Sequence, residues 1–197
     1  MKRKTFRERF EDNYMAVSVP ADNKKGFKIR YIYYKPWHIW NLPPEELKKK
    51  KILFGVLFPL SFILFLFSGG QYTGVNFDRL VGIPTMFSVI AFLFEALGII
   101  QFCVSKYRTT EQNYNDITGK IMFSTLAHAI LLSFAAGSCI VYMANMGFSA
   151  GNALVAVGYF ASAALAVFIR TQYRGIPLKT EMNMNLDKFA DSGEKKD

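Results

Sequence analysis

Apolar residues in this chain gather into long blocks separated by short charged or turn-forming stretches, and they do not alternate with polar ones. Blocks of that length predict helices that cross a bilayer. The first runs from Ile52 to Phe67, between Lys48-Lys49-Lys50-Lys51 and Ser68-Gly69-Gly70. With the blocks that follow it predicts spans at about 52–68, 80–104, 121–144 and 149–169, each close to the length that covers roughly 30 Å of hydrocarbon at about 1.5 Å per residue. The expected fold class is all-α integral membrane, a four-transmembrane-helix bundle.

Before the first block, Thr5-Phe6-Arg7-Glu8 fits a capping box and Phe6, Phe10 and Tyr14 recur at helical spacing, which predicts a short amphipathic helix. Phe27 to Tyr33 alternates like a strand and leads into Lys35-Pro36-Trp37-His38-Ile39-Trp40. Leu42-Pro43-Pro44-Glu45-Glu46-Leu47 reads as a helix start, with proline in the first turn and acids at the positive end of the dipole. That helix is expected to continue through the lysines into the membrane. The chain thus divides into an N-terminal segment, 1–42, a transmembrane domain, 43–170, and a polar tail, 171–197, expected to be mobile for the most part. Pro59 and Pro84 are candidate kinks, Pro84 near enough to its end to start the helix instead.

The 197 residues are 51% hydrophobic and 20% charged, with a mean hydropathy of +0.15, which disfavours a water-soluble globule. Of the 24 Lys and Arg residues, 14 precede Ile52, Arg79 follows the first block, three lie within 105–120 and six from Arg170 onward, with none in Asn145-Met146-Gly147-Phe148. The positive-inside rule then puts both termini in the cytoplasm of a multi-pass plasma (cytoplasmic) membrane protein, N-in and C-in. The net charge of +9 is expected to serve topology and attraction to anionic headgroups of membrane lipid, with no nucleic acid partner. Tyr31, Tyr33, Tyr34, Trp37 and Trp40, with Lys48, Lys49, Lys50 and Lys51, form a candidate interfacial anchor, since each has an apolar body and a polar tip. No signal peptide, myristoylation glycine or CaaX box is expected.

Candidate chemistry is sparse. Cys103 and Cys139 have no CxxC spacing, and His38 and His128 no metal-binding pattern, so no disulfide framework, metal or cofactor is expected. No GxSxG elbow, P-loop or GxGxxG appears, and no catalytic residue is assigned. Glu95 stands out, because a carboxylate in mid-span is expensive and must find a partner. Ser88, Ala91, Glu95 and Gly98 fall at intervals of three and four, a narrow stripe that lets another helix come close. Glu95 lies ten positions before Ser105 and His128 eight after Lys120, at depths of about 15 and about 12 Å. With Tyr159, Ser162 and Ser124 they make a candidate intramembrane polar cluster. It can lock helices in register, handle a proton or cation, or contact a separate subunit. Ala129, Ser133 and Gly137, and Gly158, Ser162 and Ala166, repeat every four residues, and are expected to pack the last two helices together or to meet a second copy.

The favoured function is therefore a non-enzymatic accessory or assembly subunit acting through protein and lipid contacts, with a protein partner or a homo-oligomer. The alternative is a small oligomeric ion- or proton-coupled transporter or channel using Glu95 and His128, and the third an integral membrane enzyme acting on lipid.

Overall fold

The computed structural model describes residues 12–183 except 22, 23 and 25. It is mostly helical, with four helices long and apolar enough to cross a membrane: α1 (Pro44–Gly69), α2 (Arg79–Val104), α3 (Glu111–Met146) and α4 (Ala150–Arg174). Their ends are written locally. Proline and Glu45-Glu46 open α1; the Asp78 carboxylate accepts from the Leu80 N–H at 2.8 Å to cap α2; the Thr110 hydroxyl accepts from Asn113 N–H to cap α3, which stops at Gly147 with φ +96°. Pro84 lies inside α2, and Pro59 inside α1.

α3 is the longest helix, at 36 residues, or about 54 Å at 1.5 Å per residue. It begins ten positions before the expected boundary because Glu111 to Lys120 is polar but helical. The apolar block marked the bilayer, not the end of the helix. α1 and α4 likewise run past their apolar blocks, α1 through its four lysines.

Around the bundle, α2 packs on α3, α3 on α4 and α4 on α1, while α1 and α2 touch least. That last seam is filled by rings: Phe58, Phe62 and Phe65 of α1 meet Phe92 of α2 at centroid distances of 6.2, 5.2 and 4.9 Å. Two apolar clusters form the core. One joins Phe65, Val75, Phe92, Leu132 and Val155, and the other Trp40, Phe54, Ile99, Ile121 and Ile169.

Among the described residues, the segments before α1, between α2 and α3 and after α4 contribute strands. β1 (Tyr14–Pro20) and β2 (Phe27–Tyr33) form an antiparallel hairpin, with Tyr14 opposite Tyr33 and Pro20 opposite Phe27. A second sheet has β3 (Trp37–Trp40) at its centre, flanked by β4 (Arg108–Thr109) and β5 (Leu178–Glu181), all antiparallel. Three stretches remote in sequence therefore meet at the basic end of the bundle, and the all-α expectation holds for the spans alone. The strand expected over 27–33 is present. Tyr14, expected on a helix, starts β1 instead, while Phe6, Phe10 and the Thr5–Glu8 capping box lie outside the described residues. The tail contributes β5, because strand pairing to β3 satisfies backbone groups there; residues 184–197 lie outside the described residues.

Candidate intramembrane polar site

One polar residue from each helix meets between the two apolar clusters. Glu95 Oε2 lies 2.7 Å from His128 Nδ1, and His128 Nε2 lies 3.1 Å from Ser162 Oγ. Ser162 Oγ donates to the Ser61 carbonyl at 2.9 Å and sits 2.8 Å from Ser61 Oγ, which in turn reaches the Ser162 carbonyl at 3.2 Å. All four side chains are fully buried. Phe92 lies against the imidazole, with ring centroids 4.1 Å apart.

Counting hydrogens fixes the protonation pattern that this geometry favours. Each serine has one hydroxyl hydrogen, and the reciprocal bonds to the two carbonyls use both. Ser162 Oγ must then accept from His128 Nε2–H. One further proton lies between His128 Nδ1 and Glu95 Oε2, so the pair is neutral as a unit whichever atom holds it. The other pattern, with Ser162 donating to His128, leaves a carboxylate beside a neutral imidazole, an uncompensated charge that the bilayer penalises. Glu95 Oε1 has no hydrogen-bond partner among the described residues.

Of the residues expected in this cluster, the structure brings together Glu95, His128 and Ser162, and leaves out Ser124 and Tyr159. Ser124 Oγ turns back to the Lys120 carbonyl at 2.6 Å, within its own helix. Tyr159 donates to Asn76 Oδ1 at 3.1 Å, and Asn76 in turn donates to the carbonyls of Ser68 and Gln71 at 2.8 Å each. That second polar knot closes the end of the bundle away from the lysines. Ser61 is the member the sequence reading missed. Its signal was present, since it is the lone hydroxyl in the block from Ile52 to Phe67.

The small-residue stripes divide. Gly158, Ser162 and Ala166 are buried; a Cβ on Gly158 would meet the Ser68 side chain of α1, and Ser162 bonds Ser61 of α1 as well as His128 of α3. Ala129 is buried, whereas Ser133 and Gly137 are exposed and a Cβ on Gly137 would meet nothing within 4 Å. α3 packs instead through Leu132, Ala135, Ala136 and Cys139, so Ser133 and Gly137 do not build the α3–α4 contact. The stripe through Ser88, Ala91, Glu95 and Gly98 is buried throughout, with Gly98 tight against α3.

The proposed anchor residues separate in the same way. Trp40 is 1% exposed, with its ring 5.2 Å from Phe102 and 6.2 Å from Tyr173. Tyr33 is also buried; its hydroxyl donates to the Pro36 carbonyl at 2.9 Å and accepts from the Glu111 N–H at 3.0 Å. These two rings pack on protein and are closed to headgroups: β3 carries Trp40 under the helices, and Tyr33, the last residue of β2, is held at the first turn of α3. Trp37 is half-buried, its ring 4.8 Å from Tyr33. Tyr31, Tyr34, Lys48 and Lys49 are exposed. Lys50 bonds Gln172 of α4, and Lys51 bonds the Ser105 carbonyl at the end of α2.

An acid, an imidazole and a hydroxyl in that order make up the relay of a serine hydrolase, in which the acid orients the base and the base takes the serine proton. Here the hydroxyl is sealed. Ser162 is packed on α1 and already engaged with Ser61, whereas a nucleophile needs a place for the reacting atom beside it. The groove between α2 and α3, of about 280 Å³, is lined by Phe87, Ile90, Phe94, Phe123 and other residues but not by Glu95 or His128. A larger cavity of about 700 Å³, lined by Lys35, Glu111, Asn113 and Asp116 among others, lies at the basic end. Among the described residues no group of three His, Cys, Asp or Glu side chains could hold a metal ion. Comparison of the chain with protein-family models, curated proteins and solved structures finds no match.

Proposed function

We propose that this small multi-pass membrane protein is a non-enzymatic accessory or assembly subunit, held in the plasma membrane with its basic end in the cytoplasm. The observation that carries the reading is the sheet β3–β4–β5. It ties the chain before α1, between α2 and α3 and after α4 into one folded platform at the basic end, which neither a simple anchor nor a pore requires. The intramembrane polar groups meanwhile bond one another across four helices, as expected of a rigid scaffold. The positive-inside rule supports the orientation.

Gentle solubilisation of native membranes, followed by mass measurement of what accompanies the tagged chain, tests this. A stoichiometric second protein whose loss lowers the level of this one supports the subunit role; a chain that runs alone or only as a homo-oligomer contradicts it. A proton- or ion-coupled transporter is the second reading, favoured by the orphaned Oε1 of a buried carboxylate. It requires pH-dependent flux in proteoliposomes that Glu95→Gln abolishes.

A further inference from the structure

The seam between α2 and α3 carries two openings of opposite character. Toward the basic end, a cavity of about 370 Å³ is lined by Gln101, Lys106, Arg108, Thr110 and Asn113 among others, and by no carboxylate among the described residues. Lys106 is exposed and pairs with no acid among the described residues. Arg108 shares its charge with Glu181 at 3.3 Å, which Lys179 also meets. Gln101 takes the ammonium of Lys120 on its oxygen at 3.0 Å, and Thr110 Oγ accepts from the Asn113 N–H, so both side chains keep hydrogens to donate. Further into the span lies the apolar groove lined by Phe87, Ile90, Phe94, Phe123 and Leu131 among others. The two openings share a face: Phe87, Phe94 and Gln101 recur every seven positions along α2, and Asn113, Lys120 and Ala127 along α3, which is two turns of helix.

We infer that this seam holds one anionic glycerophospholipid of the leaflet at the basic end, its phosphate among Lys106, Arg108, Gln101 and Thr110 and one acyl chain in the groove. The helices are long and apolar enough to span a membrane. The groove's outward rings, Phe87 at 58%, Phe94 at 48% and Phe123 at 73% exposure, therefore meet hydrocarbon, and acyl chain is what covers them. The depth agrees. Lys120 ends the polar turns of α3, and Phe123 and Leu131 lie three and eleven positions past it, about 5 and about 16 Å along the helix, against about 15 Å of hydrocarbon in one leaflet. The polar cavity then stands at the level of the ester and phosphate groups. Two cations and two further donors suit a phosphate, and the cation of a choline headgroup would be brought against Lys106 and Arg108, so charge selects an anionic headgroup. The site rests on the membrane reading of the helices and not on the subunit role.

The test uses the full chain in phosphatidylcholine vesicles that contain a trace of phosphatidylglycerol, or of phosphatidylcholine, with a photoreactive diazirine on one acyl chain. After illumination the labelled peptides are mapped. Photoreactive phosphatidylglycerol should label residues 87–94 and 123–131 well above the outward residues of α1 and α4, whereas photoreactive phosphatidylcholine should label all four helices evenly. A basic residue beside an anionic headgroup is worth roughly fivefold, so Lys106→Gln with Arg108→Gln should lower the seam yield about 30-fold, and Lys106→Gln alone, which leaves the pair of Arg108 with Glu181 intact, about fivefold. Lys48→Gln with Lys49→Gln removes the same charge from exposed positions outside the cavity and should leave the yield within about twofold, because distant charges are screened. Circular dichroism checks the fold of each variant, and the single Lys106→Gln carries the test if the double change unfolds the chain. Even labelling by phosphatidylglycerol, or an equal loss in the Lys48/Lys49 variant, overturns the inference in favour of a diffuse lipid annulus. Loss of the seam label on adding millimolar inorganic phosphate, at constant ionic strength, overturns lipid as the occupant.

Discussion

Gly98 is where the contact between α2 and α3 is most sensitive to one added atom. A Cβ there would lie 2.9 Å from Ile121 Cγ1, 3.0 Å from Lys120 Cβ and 3.1 Å from Ile121 N. Carbon contacts are comfortable at about 3.5–4.0 Å. Ile121 could rotate its Cγ1 aside, but the other two atoms are fixed to the α3 backbone, so Gly98→Ala must push the helices about half an ångström apart. Glu95 lies one turn earlier on the same buried stripe, and its bond of 2.7 Å to His128 stretches with them.

Overpacking of this kind costs about 1–3 kcal/mol, and weakening an interhelical hydrogen bond costs about 0.6–1.7 kcal/mol in a membrane protein. Alanine returns up to about 1 kcal/mol of helix propensity, which leaves a net loss of about 1–3 kcal/mol. The assay is reversible unfolding of the full chain in mixed micelles. Gly55→Ala is the matched control, since a Cβ at Gly55 meets nothing within 4 Å and the change should be neutral or stabilising by up to about 1 kcal/mol. If Gly98→Ala is no more destabilising than Gly55→Ala, the close approach of α2 to α3 is wrong.

In a double-mutant cycle of Glu95→Leu and His128→Leu, each single change strands a buried polar partner and the double removes both. A coupling of about 1–3 kcal/mol is expected, and additive losses would refute the pairing. Glu95→Gln keeps a hydrogen bond to the imidazole and should cost well under either leucine change. Ser162→Ala removes a donor to α1 and the acceptor of His128, and should lower stability by about 1–2 kcal/mol, against under about 0.5 kcal/mol for the exposed Ser133→Ala. At the basic end, burial raises the Tyr33 phenol above its ordinary 10.0. The folded state holds this proton more tightly than the unfolded one, so Tyr33 supports the fold below about pH 10 and loses that support as pH rises through the folded value. Tyrosinate absorbance should show the same number of groups titrating normally in the native chain as in Tyr33→Phe, with the native chain's extra phenol ionising at higher pH.

The spans were legible because a bilayer demands uninterrupted apolar length, and the depth match of Glu95 with His128 because a helix converts residue count into distance. Neither argument gives the rotation of a helix about its axis. That is why Ser124, one turn from His128, was grouped with it and bonds its own backbone instead, and why Ser133 and Gly137 were taken for packing residues. A small side chain can face lipid at little cost, so a period of four names a stripe without naming its neighbour. The second sheet was out of reach for another reason. β3 pairs residues 37–40 with 108–109 and 178–181, and strands of two to four residues carry almost no local signal while their partners lie about 70 and about 140 positions away. Trp40 follows from the same gap: an amphipathic ring beside lysines reads as interfacial until a strand draws it under α2 and α4.

The polar layer ties these points together. With serine hydroxyls satisfied across α1 and α4, His128 must donate from Nε2, and a single proton is left for the 2.7 Å bond to Glu95. Moving that proton between the two atoms changes nothing in the net charge of the site, so the bilayer does not oppose either form. Passing it onward is another matter. On the Ser162 side, the hydroxyl already spends its hydrogen on Ser61, and onward transfer along that side would have to break this α1–α4 hydrogen bond. A layer built this way links α1 to α4, α4 to α3 and α3 to α2 in turn, and so fixes four helices in one register.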